Sequence, residues 1–335
     1  MVDIGIDINM DEWPAPECLS QAKVAEKAGF DKVWISDHFH PWSHTNSHGG
    51  FCWVMVSSIL ANTTTVKAST AVTTPSFRYH PAIVAQAFAT LGMLYPGRVN
   101  LGLGAGEAMN EVPLGFGWPA PKERVDRLEE ALKVIRLLWN KDFVSFSGRY
   151  FTLDSANIYD KPTTPVPIYV ASQGPRVTKV AGALADGFLC PLDEPHGAAY
   201  AESTLLPILR KGALENNRDP HKIRLCAMVG YSYDRDYDKA LERCRKQGAN
   251  LVPGFFDLPI QDPRKIEALA ALVDRKEFAK GWNIITDVED MIGKGEEALR
   301  AGFNEIVFQG FSEDQSMTIE EFGRKVIPHL SDASR

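Results

Sequence analysis

The segment Ser36-Asp37-His38-Phe39-His40-Pro41-Trp42 brings together side chains suited to acid–base chemistry. A histidine is the side chain best able to accept an alcohol proton near neutral pH, and His38 is the candidate for that role. The neighbouring Asp37 could fix the tautomer of His38 or bind a polar edge of a cofactor. Trp42 would supply an apolar wall and an indole N–H donor. An ordinary loop histidine with a tryptophan at its rim is the competing interpretation.

The same region contains four histidines within eleven residues, namely His38, His40, His44 and His48. A zinc site needs three or four ligands that converge tetrahedrally, usually with cysteine or carboxylate partners. His38 and His40 could share a face, but the H-x-H-x3-H-x3-H spacing matches none of the usual zinc spacings. We therefore predict no metal here.

A glycine-rich segment at 102–111 is the second candidate for chemistry. Glycines allow the backbone to approach a flat ring closely. Glu107 within the segment could donate a proton to such a ring or receive one from it. A tight structural turn explains the glycines equally well.

The third candidate is the turn Ser172-Gln173-Gly174-Pro175-Arg176. Proline at the first position of a helix leaves free N–H groups at the helix start, where an anion can bind. Arg176 and Lys179 would add positive charge, so the turn is a candidate phosphate site. An ordinary turn with two solvated cations is the alternative.

Short β-type runs alternate with longer runs of helical period along the whole chain. Repeated units of this kind predict a parallel sheet covered on both faces. Since no fingerprint glycines follow the first strand, an α/β fold of the closed (β/α)8 barrel type is favoured over a doubly wound sheet. All three candidate segments follow strands, so a barrel would gather them at its carboxyl-end mouth. The predicted strands are 2–8, 32–35, 66–73, 99–103, 168–171, 187–190, 224–231 and 305–308.

Three segments are longer than a minimal barrel requires, and they lie near 106–121, 141–167 and 247–287. The second contains a predicted hairpin around the turn Ser147-Gly148-Arg149. Long insertions in a barrel usually form lids or walls over the catalytic mouth. We therefore predict one domain over residues 1–335, with these three segments covering the site.

The composition excludes several classes of function. With 335 residues and 44% hydrophobic content, the chain can bury a large core. A net charge of −7 argues against nucleic acid or an anionic membrane as partner. Five scattered cysteines, no leader-like N-terminus and no long apolar run predict a cytoplasmic protein.

Taken together, these segments resemble the luciferase-like (β/α)8 flavin and deazaflavin oxidoreductases, and specifically their coenzyme F420-dependent branch. The likeness runs essentially from end to end, and the secondary alcohol dehydrogenases of that branch are the most similar group. The segments that carry it are Ser-Asp-His-Phe-x-Pro-Trp at 36–42, Phe-Arg-Tyr-x-Pro-Ala at 77–82, Ala-Gln-Ala-Phe-Ala-Thr at 85–90, Tyr-Pro-x-Arg-Val at 95–99, Gly-Ala-Gly-Glu-Ala-Met-Asn-Glu-Val-Pro at 104–113 and Tyr-Phe-Thr-Leu-Asp at 150–154.

The resemblance implies specific roles. His38 would take the alcohol proton, Trp42 would hold the substrate oxygen beside the deazaflavin, and Glu107 would be a proton partner near the ring. A cis peptide is expected between Thr70 and Ala71, and a homodimer is the expected assembly. The implied cofactor contacts are Asp37, Thr70, Ala71, Thr73, Asn110, Ser172, Gln173, Gly174, Pro175 and Arg176.

Two departures from the family pattern bear on the substrate. Asp11 stands near the first strand where the family commonly has glutamate, and we place it with His40 in the substrate pocket. The related glucose-6-phosphate dehydrogenases carry two lysines and an arginine for the sugar phosphate. Here the corresponding region reads Cys190-Pro-Leu-Asp-Glu-Pro, and the arginine position is Gly281. We therefore predict hydride transfer between F420 and a small uncharged alcohol or its carbonyl.

Three alternatives stay open at this point. The nearest is an F420-dependent sugar-phosphate dehydrogenase. A flavin mononucleotide-dependent monooxygenase on the same fold is another. A cofactor-binding protein without catalysis is the third, and the joint presence of His38, Trp42 and Glu107 argues against it.

Overall fold

Eight parallel strands close into a barrel in the computed structural model of the protein, which describes residues 2–192 and 197–333. The strands, with a separate hairpin (β5, β6) and a short addition (β10), are β1 (Asp3–Ile8), β2 (Lys32–Ile35), β3 (Lys67–Thr70), β4 (Val99–Leu103), β5 (Val144–Ser147), β6 (Thr152–Ala156), β7 (Ile168–Ala171), β8 (Gly187–Pro191), β9 (Arg224–Tyr233), β10 (Ile284–Ile285) and β11 (Glu305–Phe311). Barrel strands pair in the order β1-β2-β3-β4-β7-β8-β9-β11, and the β11–β1 pair completes the ring. The predicted (β/α)8 fold is confirmed.

Helices cover the outside of this ring, and in most units one helix follows each barrel strand. Pairs such as α3 with α5 and α6 with α8 pack side by side. No helix of the described residues has the length and apolar character needed to cross a membrane. The helices are α1 (Ala15–Ala28), α2 (Cys52–Asn62), α3 (Pro81–Leu94), α4 (Ala108–Glu111), α5 (Pro121–Asn140), α6 (Pro175–Leu184), α7 (Ala198–Tyr200), α8 (Leu206–Glu215), α9 (Tyr237–Arg243), α10 (Pro263–Leu272), α11 (Arg275–Gly281), α12 (Asp290–Arg300), α13 (Gln315–Lys325) and α14 (Ile327–Ala333).

Packed side chains fill the interior of the barrel. Trp34 and Tyr169 meet edge to face there, with ring centroids 5.3 Å apart. Toward the amino ends of the strands, Lys32 Nζ donates to Glu305 Oε2 at 2.5 Å and to the Tyr169 hydroxyl at 3.0 Å. This packed floor means that a binding site can form at the carboxyl-end mouth.

The end of β3 differs from the prediction in one respect. The cis peptide joins Ala71 and Val72, one residue later than expected. The reason is that Thr70 still pairs with Ile35 of β2, and its hydroxyl donates to the carbonyl of Gly102 at 2.8 Å. Regular sheet pairing therefore continues through Thr70, and the chain leaves the sheet only after it.

Two of the three predicted insertions cover the mouth. The segment 247–287 reaches over the cavity, where the side chains of Phe255 and Phe256 form part of the lining. Trp118 of the segment 106–121 donates its indole N–H to the Phe256 carbonyl at 3.2 Å. The two insertions therefore meet above the barrel.

The insertion at 141–167 is placed differently. It forms the predicted hairpin, but Glu130 of α5 accepts hydrogen bonds from the N–H groups of Tyr150 and Phe151 at 2.9 and 2.7 Å. The hairpin is thereby fixed to the outer helix layer and contributes no residue to the cavity lining. The prediction that this insertion covers the site is wrong, because its polar anchor lies on α5.

Candidate active site

Three side chains from different strand ends form a row at the mouth of the barrel. Asp11 follows β1, His38 follows β2 and Glu107 follows β4. Nδ1 of His38 lies 2.6 Å from Oδ2 of Asp11, and Nε2 lies 3.3 Å from Oε2 of Glu107. All three residues line one cavity. The fold thus gathers two residues predicted to be catalytic and one predicted to line the substrate pocket.

The two carboxylates set the charge of His38. Burial alone would lower the pKa of the imidazole, but Asp11 and Glu107, through their charges and hydrogen bonds, raise it well above its usual value. The charged form of the ring, with a proton on both nitrogens, is therefore favoured. Such a ring can give its Nε2 proton to an oxygen and, once neutral, can take one from a hydroxyl.

Trp42 forms one wall of the cavity beside His38. The two rings meet edge to face with centroids 6.2 Å apart, and the indole also packs against Phe255 and Phe256 at 5.6 and 5.9 Å. Trp42 is 8% exposed. Its indole N–H finds no acceptor within the part of the chain that the structure describes, so the donor is available to a ligand.

The cavity in front of His38 has a volume of about 620 Å³, and a second cavity of about 280 Å³ adjoins it. Ala71, Val72 and Gln173 line both. Cofactor and small-molecule sites commonly span ~300–1,000 Å³. The joined volume and the free indole donor of Trp42 therefore fit a flat cofactor together with a small substrate.

The glycines of the segment 102–111 serve the packing of β4 against β3. A Cβ atom on Gly102 would lie 1.9 Å from the carbonyl oxygen of Thr70, and one on Gly104 would lie 2.6 Å from Cγ2 of Val72. Of the two interpretations, this supports the structural one for these two glycines. It also explains how Val72 reaches the cavity, since β4 leaves it room.

Three predicted cofactor contacts lie beneath the mouth, and their side chains do not line either cavity. Asp37 accepts from the Thr73 hydroxyl at 2.5 Å and from the Arg78 guanidinium at 2.9 Å. Thr70 is fully buried and bonded to β4. Through these bonds Asp37, Thr70 and Thr73 position the segment that carries Ala71, and Ala71 itself lines the cavity.

The turn after β7 meets the prediction only in part. Ser172 and Gln173 line the smaller cavity. Arg176, however, forms an ion pair with Asp126, and Lys179 pairs with Glu215 at 2.7 Å. Both cations are thus neutralised by helix neighbours. The backbone N–H groups at the start of α6, after Gly174 and Pro175, remain the predicted phosphate contact.

Asn110 supports the row Asp11–His38–Glu107. Its amide donates to Glu107 Oε2 at 3.1 Å, and its oxygen accepts from the Phe39 N–H at 2.7 Å. It lines the smaller cavity, in keeping with its predicted contact to the cofactor.

His40 is placed outside the substrate pocket. Its Nδ1 lies 2.9 Å from the carbonyl oxygen of Gln261, and the residue lines neither cavity. The assignment of His40 to the pocket is therefore wrong, since the ring turns toward the insertion. Among the described residues, no group of three potential metal ligands converges.

The structure adds residues that the sequence interpretation missed. Besides the predicted Gln173, four carboxamides line the larger cavity, namely Asn9, Gln247, Asn250 and Gln309. Gln309 interrupts the apolar run of β11, which was an available signal. Asn9 follows β1 directly, another available signal. Gln247 and Asn250, in the long insertion, gave no such signal in the sequence, because a loop has no periodic pattern.

A buried carboxyl lies below the site. Asp7 of β1 is 1% exposed, and among the described residues neither of its oxygens has a hydrogen-bond partner of normal geometry. Burial raises the pKa of Asp7 to about 7, partly offset by the neighbouring Gln309. This group is therefore half protonated near neutral pH.

The sequence family is shown by comparison with known proteins. The family described as Luciferase-like monooxygenase matches residues 6–292 of the chain. The chain belongs to this family.

Three members or relatives of the luciferase-like family are particularly informative. A solved F420-dependent secondary alcohol dehydrogenase, in complex with an F420-acetone adduct, is 39% identical with a TM-score of 0.93, covering 98% of this chain and 99% of that one. A curated F420-dependent glucose-6-phosphate dehydrogenase from Beutenbergia cavernae is 38% identical over 98% of both chains. The coenzyme F420-dependent tetrahydromethanopterin reductase from Methanopyrus kandleri is 25% identical with a TM-score of 0.76, covering 98% and 99%.

Proposed function

We propose that this protein transfers a hydride between coenzyme F420 and a small uncharged alcohol or the corresponding carbonyl. The observation that carries the proposal is the row Asp11–His38–Glu107, which presents the Nε2 atom of His38 to the cavity. Removal of a hydride from a carbinol carbon needs such a group, because the hydroxyl proton must leave as the hydride does. The F420 dependence in the names of the relatives supports the cofactor.

The residues placed to hold the cofactor are those of the smaller cavity, chiefly Ala71, Val72, Asn110, Ser172 and Gln173. When bound, coenzyme F420 accepts or supplies the hydride. The start of α6 supplies backbone N–H groups for a phosphate. The substrate then occupies the larger cavity between His38 and the insertion.

His38 handles the proton in either direction. For carbonyl reduction, the imidazolium donates its Nε2 proton to the substrate oxygen as the hydride arrives at carbon. For alcohol oxidation, the ring must first lose a proton and then accept one from the hydroxyl. Asp11 stabilises the charged ring in both cases, and Trp42 closes the cavity against water.

The charge of the larger cavity supports an uncharged substrate. Asp11, Glu107 and Asp257 line it, whereas no lysine or arginine does so among residues 2–192 and 197–333. A phosphate would therefore meet carboxylates that are offset only by the His38 imidazolium and, at Asp257, by the ion pair with Arg124. Part of the segment Cys190-Pro-Leu-Asp-Glu-Pro, residues 193–195, lies outside the described residues.

Gly281 gives a second reason to disfavour a sugar phosphate. It lies behind Leu251, which lines the cavity, and a Cβ atom on Gly281 would come within 2.6 Å of Leu251 Cδ2. An arginine at this position would have to displace Leu251. The packing at Gly281 therefore favours an apolar cavity wall over a cationic side chain.

A glucose-6-phosphate dehydrogenase is the second candidate, since several curated relatives carry that name. The deciding experiment compares 2-propanol with glucose 6-phosphate by kcat/KM, following the visible absorbance of F420. We expect 2-propanol to be the better substrate. A tenfold or larger advantage for the sugar phosphate would reject the proposed substrate class.

The cofactor is tested separately by calorimetry. We expect micromolar or tighter binding of F420 and much weaker binding of NADP. Tight binding of flavin mononucleotide, with rapid re-oxidation by air after reduction by dithionite, would instead support the monooxygenase named in the family description.

A further inference from the structure

The larger cavity has an unusual concentration of uncharged hydrogen-bonding groups. Besides Gln173, which lines both cavities, four carboxamides reach it from different parts of the chain, namely Asn9 after β1, Gln247 and Asn250 in the long insertion, and Gln309 in β11. They lie on the substrate side of the site, because none of the four lines the smaller cavity.

Most of these amide groups have no partner within the described residues. The Oδ1 atom of Asn250 is buried without a donor. Gln247 is 8% exposed, and its side chain makes no hydrogen bond to the described residues. Asn9 accepts from the Asp11 N–H at 3.0 Å, which leaves its NH2 group free. A polar group that is buried and unpaired is unfavourable, so these positions favour a ligand with complementary groups.

We infer that the substrate is a neutral compound with several hydroxyl groups, such as a free sugar or a cyclic polyol. This inference rests on the proposed function and narrows its substrate class. A hydroxyl both donates and accepts, and therefore matches a carboxamide in either orientation. The carboxylates of Asp11, Glu107 and Asp257 in the same lining disfavour a negatively charged substrate.

Size leads to the same conclusion. A three-carbon alcohol has four heavy atoms and would fill only a small part of a cavity of about 620 Å³. It would also leave Gln247 and Asn250 without partners. A six-membered polyol can place one carbinol at His38 and further hydroxyls at the carboxamides. Sites built to bind hydroxyls discriminate strongly against analogues that lack them.

The reaction at the chosen carbinol balances as a two-electron oxidation. The carbon–hydrogen bond breaks and its electron pair leaves with hydrogen to coenzyme F420. The oxygen–hydrogen bond breaks and its proton passes to Nε2 of neutral His38. A carbon–oxygen double bond forms, and the other hydroxyl groups are unchanged.

The first experiment compares four compounds that share a six-membered ring by kcat/KM. Cyclohexanol has the ring and one hydroxyl, myo-inositol and D-glucose add hydroxyls, and glucose 6-phosphate adds charge. We expect at least one of the two neutral polyols to exceed cyclohexanol by tenfold or more, and to exceed glucose 6-phosphate. If cyclohexanol equals or exceeds both polyols, the inference is wrong, while turnover of cyclohexanol still supports the proposed function.

The second experiment uses variants and does not depend on turnover. Gln247→Leu and Asn250→Leu each remove a hydrogen-bonding amide at nearly constant size. Asn140→Leu, at the exposed end of α5, is the matched control. In calorimetry with F420-loaded protein, we expect each cavity variant to weaken binding of the preferred polyol by about tenfold, as expected for one lost hydrogen bond, and the control to leave it unchanged. Unchanged binding in both cavity variants would overturn the assignment.

Discussion

The carboxylate of Asp11 lies 2.6 Å from Nδ1 of His38, although 27 positions separate the two residues in the chain. Asp37, the sequence neighbour of His38, instead accepts hydrogen bonds from Thr73 and Arg78. Asp11 is therefore the residue that orients His38 and favours its charged form. Glu107 lies at the other ring nitrogen, Nε2, and completes the row. Nε2 also faces the cavity.

Replacement of His38 by alanine tests the mechanism directly. Hydride transfer without a proton partner must form or consume a protonated carbonyl, so His38→Ala should lower kcat at least about a hundredfold, or ~2.7 kcal/mol of barrier. The affinity for F420 should change little. His40→Ala is the control, because His40 bonds to Gln261 outside the cavity. Near-normal kcat in His38→Ala would place the base elsewhere.

The pH dependence should differ between the two reaction directions. Alcohol oxidation needs neutral His38, so its rate should rise with pH through the raised pKa of the ring, whereas carbonyl reduction should fall over the same range. Asp11→Asn removes a charge that raises this pKa. Both profiles should then shift to lower pH by about one unit or more.

Glu12→Gln is the matched control for that shift. Glu12 is the next carboxylate along the chain, but it pairs with Lys246 at 2.9 Å and lines neither active-site cavity. Its kcat/KM profile against pH should coincide with that of the unmodified protein. Identical profiles for Asp11→Asn and Glu12→Gln would contradict the role of Asp11.

Asp7 should make stability depend on pH. Its pKa rises from 3.8 when unfolded to about 7 when folded, so the folded state holds a proton that the unfolded state has lost between these values. The neutral Asp7 carboxyl makes its full contribution to the free energy of unfolding below pH 4. This contribution is lost as pH rises toward 7, by on the order of 4 kcal/mol. The side chain in Asp7→Asn cannot ionise. The free energy of unfolding of this variant, relative to that of the unmodified protein, should therefore be greater at pH 8 than at pH 5. Urea unfolding at both pH values measures this gain, and its absence would refute the assignment.

The contact between β4 and β3 should be intolerant of a side chain at Gly102. Gly102→Ala would place Cβ 1.9 Å from a backbone oxygen, which cannot move without distorting the sheet. We expect a loss of about 1–3 kcal/mol in the free energy of unfolding. Gly293→Ala is the control, because nothing lies within 4 Å of its Cβ on α12, and alanine in a helix should be neutral or stabilising. Equal stability of the two variants would contradict the close contact.

Much of the site could be predicted from the sequence because a parallel barrel obeys a simple geometric rule. The carboxyl ends of all its strands meet at one mouth, so a residue that follows any strand is placed there without knowledge of the packing. His38, Trp42 and Glu107 line the cavity for this reason. The alternation of β-type and helical runs was sufficient for the fold itself.

The tertiary structure alone decided which of these side chains touch. Asp11, and not the adjacent Asp37, reaches His38, because the carboxylate of Asp37 is bonded to Thr73 and Arg78. Arg176 finds Asp126 on a helix 50 positions away. The carboxamides Gln247 and Asn250 enter the cavity from a loop with no periodic pattern. Contacts of this kind depend on long-range packing. For that physical reason the motifs could predict which strand ends carry the candidate residues, while the fold determined their partners, their charge and the groups that line the cavity.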